Sequence, residues 1–365
     1  MLLQCVTACY LALRTVLTYG LLRRPARTTA RPSVSIVVAA RDEAATLPRL
    51  LDALLRQSYA DYEVIVVDDR STDATPDVLR ERQARDPRLQ VVTVSEVPED
   101  RTPKIHALSQ GIARARGAVL LLTDADCRVP PTWVAGMAAC FTRDVGAVLG
   151  YVELHAPNGT LLEQLQALDY FSMMATMAGA TNLDHPVGAA GANLAYRRAA
   201  YDQAGGFEQM LPGAVADDMV LLQHVLDRTV WRVAFCDDPG TFVSTTAEPT
   251  LRQALDQRVR WMAGGQEVLR HNPALLATSL LIGLLNGLLL SFPILLARRD
   301  LRRALAQALL GRALGDAVHL GVAAARFRRW DLLRYLPLWI VLQVPYTVLL
   351  PVYSSVSNWS WKDKA

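Results

Sequence analysis

Three acidic pairs carry most of the chemistry available to this chain: Asp68-Asp69, Asp124-Ala125-Asp126 and Asp217-Asp218. Asp124 and Asp126 follow the apolar run Val119 to Leu122. Carboxylates two apart at such a point can share one hard cation with the oxygens of a diphosphate. That cation offsets the charge that builds on a diphosphate as it leaves. A solvated turn, or a cap for a helix near Pro130 and Trp133, accounts for the pair as well. Asp68-Asp69 closes the apolar run Val64 to Val67. It can accept hydrogen bonds from a uracil N–H or a ribose hydroxyl, or serve with Ser71 and Asp73 as helix caps. Asp217-Asp218 precedes Leu221, Leu222, Val225 and Leu226 at helical spacing. Aspartates in a first turn are favoured by the helix dipole. The sharper reading is a general base that takes the proton of an attacking hydroxyl.

A fourth group is Gln257-Arg258-Val259-Arg260-Trp261. On a helix, Gln257, Arg260 and Trp261 share one face. They could set a cation near a diphosphate and an aromatic wall near an acceptor, or form an interfacial amphipathic helix. Lys104 suits a phosphate or the acidic groups, and also a solvated helix start. The six histidines are scattered, and no Ser-His-Asp or Cys-His arrangement is readable. Neither a Gly-x-Gly-x-x-Gly turn nor a Walker lysine loop occurs, so the phosphate cradles of dinucleotide-binding and P-loop proteins are missing.

The elements that must position these residues are legible from residue 34 onward. Ser35 to Ala40 and Val64 to Val67 read as buried strands, and Leu89 to Val94 and Val119 to Leu122 as a third and a fourth strand. Between them, Leu47 to Leu55, Asp73 to Ala84 and Pro103 to Arg116 read as helices, the last with proline in its first turn. Apolar strands alternating with helices predict a parallel sheet covered on both faces. Such sheets bind ligands at the carboxyl ends of their strands. There stand Ala40-Arg41-Asp42-Glu43, Asp68-Asp69-Arg70-Ser71 and Thr123-Asp124-Ala125-Asp126. Three acidic clusters on one rim repel one another unless cations or donors intervene, which marks the rim as a ligand site.

Of the 365 residues 52% are hydrophobic, concentrated in the first 22 and after about residue 273. A net charge of +3 gives no support for a nucleic-acid partner. Arginines flank the apolar segments instead: Arg23, Arg24 and Arg27; Arg298, Arg299, Arg302 and Arg303; Arg326, Arg328 and Arg329. Cationic flanks of this kind face the cytoplasm. Five cysteines without a CxxC pair point to a reducing compartment. Residues 2 to 22 read as an uncleaved anchor or in-plane helix rather than a signal peptide, since Arg14 interrupts the stretch. Residues 274 to 297 hold no charge before Arg298 and would span about 36 Å as a helix, enough to cross a bilayer. Residues 335 to 353 are similar. Residues 304 to 325 are weaker, because Arg312, Asp316 and His319 are costly in lipid unless they face other helices or water. If 274–297 and 304–325 both cross, the arginines between them face outward; a re-entrant segment broken at Asn286-Gly287 would avoid this.

Taken in order, these stretches resemble the family 2 glycosyltransferases of GT-A fold. The resemblance rests on Val38 to Glu43, Val66 to Asp73, Pro103 to Leu108, Thr123 to Asp126, Gly191 to Arg197, Asp217-Asp218 and Gln257 to Trp261. It implies an α/β, Rossmann-like domain with a mainly parallel sheet over 34–265. An N-terminal membrane helix over 1–22, two to three membrane helices within 274–356 and a short tail over 357–365 complete the expected organisation. It implies an inverting hexosyltransferase of the inner cell membrane, multi-pass, with a cytoplasmic catalytic domain. The donor would be a nucleotide-diphospho sugar, foremost a UDP-sugar, and the acceptor a membrane lipid. Asp126 and Asp124 would hold Mg2+ or Mn2+. Asp68 or Asp69, with Ala40, Arg41 and Glu43 nearby, would hold the nucleoside. Asp218, paired with Asp217, would be the base. Lys104, Gln257, Arg260 and Trp261 would complete the donor and acceptor site. Asp42 stands where the family usually has Asn, and Asp217 where it often has Glu. The competing readings are a processive glycan synthase of the same fold and a catalytically silent membrane scaffold.

Overall fold

The computed structural model describes residues 1–210, 217–291 and 301–356. The chain divides into a sheet unit, Arg24–His155 with Gly188–Thr246, and a helical unit, Met1–Arg23 with Ala156–Val187 and Ala247–Ala365.

In the sheet unit β1 (Val34–Ala40), β2 (Tyr62–Asp69), β3 (Leu89–Val94) and β4 (Val119–Leu122) lie parallel in the order β3-β2-β1-β4. Ile36, Val37, Val64, Ile65, Val66 and Leu120 are wholly buried, which is why β1, β2 and β4 run apolar without alternation, whereas β3, at the sheet edge, is only partly buried and carries Gln90 and Thr93. α2 (Leu47–Leu54) buries Leu47, Leu50, Leu51 and Leu54, while α3 (Thr75–Arg85) and α4 (Pro103–Arg114) cover β2 and its neighbours. The expected α/β order is therefore present. β2 is longer than its apolar core, and α3 begins at Thr75 rather than Asp73. Asp73 stays outside that helix and accepts the Thr75 and Ala44 N–H groups.

Beyond β4 the sheet continues through β7 (Leu194–Arg197), β5 (Val145–Gly150) and β8 (Arg232–Cys236). β7 runs antiparallel to both β4 and β5, and β8 runs parallel to β5. α5 (Trp133–Ala138), α7 (Arg198–Ala204) and α8 (Asp217–Arg228) lie between these strands in sequence. β6 (Val152–His155) pairs with β9 (Val243–Thr246) in a separate two-stranded ribbon. The chain passes from β1 to β2 and β3 on one side and then returns to β4 on the other. The crevice of an open α/β sheet lies at such a reversal, outside the carboxyl ends of β1 and β4.

One carboxylate ties the opposite edge together. Glu63 accepts the Ser35 hydroxyl and the Arg116 N–H, both at 2.7 Å, and its second oxygen takes Gln90 at 2.8 Å and the Arg116 guanidinium at 3.0 Å. Partial burial pushes its pKa up, but these donors outweigh that and hold it below the usual glutamate value. A depressed carboxylate contributes stability above its unfolded pKa and loses it as pH falls through the folded value. Glu63→Gln is therefore expected to lower the melting temperature at pH 7. The deficit should shrink as pH falls through the carboxylate range, read by thermal melts of both proteins across that range.

Among the described residues of the helical unit, four segments are long and apolar enough to cross a membrane: Leu2–Leu22, Pro273–Leu290, Arg302–Phe327 and Trp330–Ser355. They comprise α1 (Leu2–Leu22), α10 (Pro273–Leu290), α11 (Arg302–Phe327) and α12 (Leu336–Val356). α6 (Leu161–Thr181) starts at a capping box of Thr160 and Glu163, and α9 (Leu251–Leu269) at a Thr250 cap. α1 crosses α6 so closely that a Cβ on Gly20 would stand 2.0 Å from the Gly179 carbonyl oxygen.

Arg312, Asp316 and His319 of α11 face inward. Asp316, fully buried, pairs with Arg14 of α1 at 2.8 Å and accepts the Tyr10 hydroxyl at 2.5 Å. Arg312 lies 3.6 Å from Asp316 and donates to Asn286, and His319 meets Thr18 at 3.1 Å. Partnering of this kind offsets much of the cost of burying charge. It also removes the expected break at Asn286-Gly287: α10 runs through both residues, because the Asn286 amide serves Arg312 rather than opening the backbone. Residues 292–300, with Arg298 and Arg299, lie outside the described residues.

Candidate active site

The rim of β1 and β2 is knit by short side chains. Asp42, just past β1, adopts φ 55°, a left-handed conformation that aspartate tolerates better than most residues. Its Oδ1 accepts the Thr72 N–H at 2.7 Å and the Asp73 N–H at 3.3 Å, and its own N–H donates to Ser71. The Thr72 N–H, then the Thr72 hydroxyl and the Asp73 N–H, outweigh a small desolvation and hold the Asp42 pKa below the usual aspartate value. An aspartate at this position is thus a clamp between the two loops. Arg41 lies 4.0 Å from Asp42, and Glu43 accepts the Thr46 hydroxyl at 2.6 Å. Asp68 and Asp69 are buried at the end of β2. Asp68 accepts the Ser71 N–H at 3.2 Å, and Asp69 pairs with Arg70 at 2.8 Å. Ala40 ends β1 in register with Asp68.

A second group gathers beyond β4. Lys104, in the first turn of α4, places Nζ 3.0 Å from Asp124 Oδ1. Asp218, at the start of α8, accepts the Gly191 N–H on Oδ2 and the Met219 N–H on Oδ1, both at 2.8 Å. A Cβ built on Gly191 would touch both Asp218 Oδ2, at 3.5 Å, and Lys104 Nζ, at 3.6 Å. Gly191 therefore lies between the ammonium and the carboxylate, and Asp124, Lys104 and Asp218 form one continuous group. Tyr196 of β7 donates to the Asp218 carbonyl oxygen at 3.4 Å. The Asp217 side chain lies outside the described residues.

Asp126 accepts the Thr245 hydroxyl at 3.1 Å. Its side chain reaches the surface but is closely surrounded by protein atoms. That crowding first, and the Asp124 charge second, push its pKa above the usual aspartate value. Ligand atoms of Asp124, Asp126 and Cys127 lie within 4.8 Å of one another. Burial pushes the Cys127 thiol well up, so it offers a neutral sulfur, while the two carboxylates offer hard oxygens. That oxygen pair suits Mg2+ or Mn2+ rather than a thiophilic metal.

Two partners in this region were not legible in the sequence. Thr245 lies 119 residues from Asp126, in a strand with no motif of its own. Asn193 is wholly buried; it accepts Trp133 Nε1 at 2.9 Å and donates to the carbonyls of Tyr151 and Thr241 at 2.9 and 2.8 Å. It sits inside the quoted Gly191 to Arg197 stretch and anchors the turn that presents Gly191.

Gln257, Arg260 and Trp261 fall on α9, in the helical unit. Gln257 donates to Glu248 at 3.0 Å, and the Trp261 ring packs on Tyr170 with centroids 5.1 Å apart.

The sequence profile of the family described as Glycosyltransferase like family 2 matches residues 32–264. The chain belongs to that family. This glycosyltransferase is 30% identical over 135 residues to glycosyltransferase AglE of Haloferax volcanii, a match covering 36% of this chain and 43% of that one. It is 29% identical over 246 residues to the beta-monoglucosyldiacylglycerol synthase of a Nostoc species, covering 65% of this chain and 49% of that one. The matches span about half the length of these curated relatives. Among solved structures it is similar to the mannosyltransferase PcManGT of Pyrobaculum calidifontis in complex with GDP-Man and Mn2+, with a TM-score of 0.62 at 20% identity over 98% of this chain and 99% of that one. That likeness gives the glycosyltransferase its GT-A fold.

Proposed function

We propose that this glycosyltransferase moves a hexose from a nucleotide-diphospho sugar, foremost a UDP-sugar, to the hydroxyl of a membrane-embedded lipid, with inversion and with Mg2+ or Mn2+. The observation that carries the reading is the continuous group Asp124–Lys104–Gly191–Asp218 at the carboxyl edge of the sheet. It sets a cation beside a carboxylate that can take a proton, as a direct displacement needs.

Asp218 is assigned as base. Two backbone N–H groups, at Gly191 and Met219, fix the direction of its carboxylate at the start of α8. It takes the acceptor proton while the acceptor oxygen bonds to the anomeric carbon and the bond from that carbon to the diphosphate breaks. Lys104 lies where it can meet the departing negative charge. Asp124 and Asp126 are assigned to the cation, which when bound neutralises diphosphate charge. Asp68 and Asp69, with Ala40, Arg41 and Glu43, are assigned to the nucleoside. Gln257, Arg260 and Trp261 are assigned to diphosphate and acceptor from their motif alone.

The lipid acceptor is supported by the four helices among the described residues that are apolar enough to span a bilayer and by the name of the Nostoc relative. The arginine flanks support an inner-membrane protein with its sheet unit in the cytoplasm. The test is nucleoside-diphosphate release by the full chain in detergent, over a panel of UDP- and GDP-sugars, with Mn2+ or Mg2+. Each donor is assayed with and without a total membrane-lipid extract. Release that needs metal and rises with the extract is the expected result. Release insensitive to the extract would overturn the lipid acceptor, and release insensitive to chelation would overturn the metal.

A further inference from the structure

We infer that Arg258, Asp169 and Gln343 are positioning residues that fix the indole of Trp261 from the last apolar helix. The inference rests on the assignment of Trp261 to the acceptor. All the residues involved belong to the helical unit.

The Arg258 guanidinium carbon stands 4.3 Å from the centroid of the Trp261 ring, one turn away on α9. Tyr170 of α6 packs on the same ring, its plane tilted by 45°. Arg258 is only 6% exposed, so its charge must be met inside the fold. Asp169, adjacent to Tyr170 on α6, meets it at 3.1 Å. The other oxygen of Asp169 accepts the Gln343 amide of α12 at 2.5 Å, and the Gln343 carbonyl oxygen in turn accepts the Thr347 hydroxyl at 3.1 Å. A line of polar contacts thus runs Thr347–Gln343–Asp169–Arg258 and ends on the face of Trp261. A second contact joins the same helices, from Tyr353 to Asp256 at 3.4 Å.

The placement is selective. α12 carries no charge, and its Leu338, Val341, Leu342, Leu349 and Val352 are exposed, as suits a helix facing lipid. A leucine at 343 would serve such a helix equally well. Glutamine there holds a carboxylate, which holds a buried cation, which holds an aromatic ring. A ring fixed before the acceptor arrives need not be ordered during attack, and that preorganisation is felt in the rate more than in donor binding.

The test uses the full chain in detergent micelles with a graded amount of total membrane-lipid extract, the donor identified by the release assay, and three readouts. These are kcat/KM for the extract, donor Kd by calorimetry and Tm. Gln343→Leu is the gentle variant, because it leaves the Arg258–Asp169 pair intact. It is expected to lower kcat/KM about tenfold while donor Kd stays within about twofold and Tm is unchanged. In a Trp261→Ala background it should cost nothing further, since residues that act through one another are not additive. Arg258→Lys, which keeps a cation over the ring, should recover most of what Arg258→Met loses. Multiplicative losses in the double variant, or a fall of Tm and donor binding in step with activity, would overturn the inference. Unchanged release by Trp261→Ala alone would instead overturn the assignment of Trp261 on which it rests.

Discussion

Asp126→Ala is expected to lower sugar transfer by about a thousandfold, the order seen when a group aimed at developing charge is removed. The protein should nevertheless stay folded. Asp126 shares its surroundings with Asp124, and both that repulsion and its crowding work against the ionised form. Truncation relieves these at the cost of the hydrogen bond from the Thr245 hydroxyl and a weak one from the Cys127 thiol. Tm without metal should therefore be unchanged or slightly raised, which separates loss of chemistry from loss of structure. Metal binding gives an independent reading. A ligand bound only by the native state stabilises it by about 2.7 kcal/mol at a hundredfold excess over Kd. Mn2+ should raise the Tm of the wild type and not that of the variant. A variant whose Tm still rises with Mn2+ would place the cation elsewhere. One that transfers sugar at the wild-type rate would remove Asp126 from the site.

The fold was legible where burial is symmetrical. β1, β2 and β4 show continuous apolar runs because both faces are covered. The second half of the sheet gives no such signal. A short run such as Leu194–Arg197 carries no mark of direction, so the reversal of β7 depends on tertiary pairing with β4 and β5. The left-handed backbone at Asp42 and Arg70 is equally silent in sequence, although aspartate at the first position is among the residues that tolerate it.

The candidate site divides the same way. Residues adjacent in sequence, such as Asp124 and Asp126, could be read together. Lys104, Asp124, Gly191 and Asp218 could not be joined by spacing, because separate elements bring them within reach. The membrane segments follow the same logic. Hydropathy marks them, but Arg312 and Asp316 make sense only once Arg14 and Tyr10, some three hundred residues earlier, are seen to face them. The polarity that made 304–325 a weak span in sequence is what joins it to α1.

Asp218→Asn tests the assignment of the base directly. The substitution keeps the size of the side chain and one oxygen able to accept the Gly191 N–H, and gives up only the bond from the Met219 N–H, so a small fall in Tm is expected with the Gly191 turn still anchored. It removes the charge that takes a proton, and general-base catalysis is worth about a hundredfold to ten-thousandfold in rate. kcat is expected to fall within that range while donor Kd, measured by calorimetry with Mn2+ present, stays close to wild type. Asp217→Asn, next to it in the first turn of α8, is the comparison. Loss of a favourable charge at a helix N-terminus costs about 0.3–1 kcal/mol of stability and should leave turnover largely intact. The reverse pattern, with Asp217→Asn silent in turnover and Asp218→Asn active, would move the base to Asp217. Weakened donor binding in Asp218→Asn would mean that its carboxylate acts with Lys104 on the diphosphate rather than on the acceptor proton.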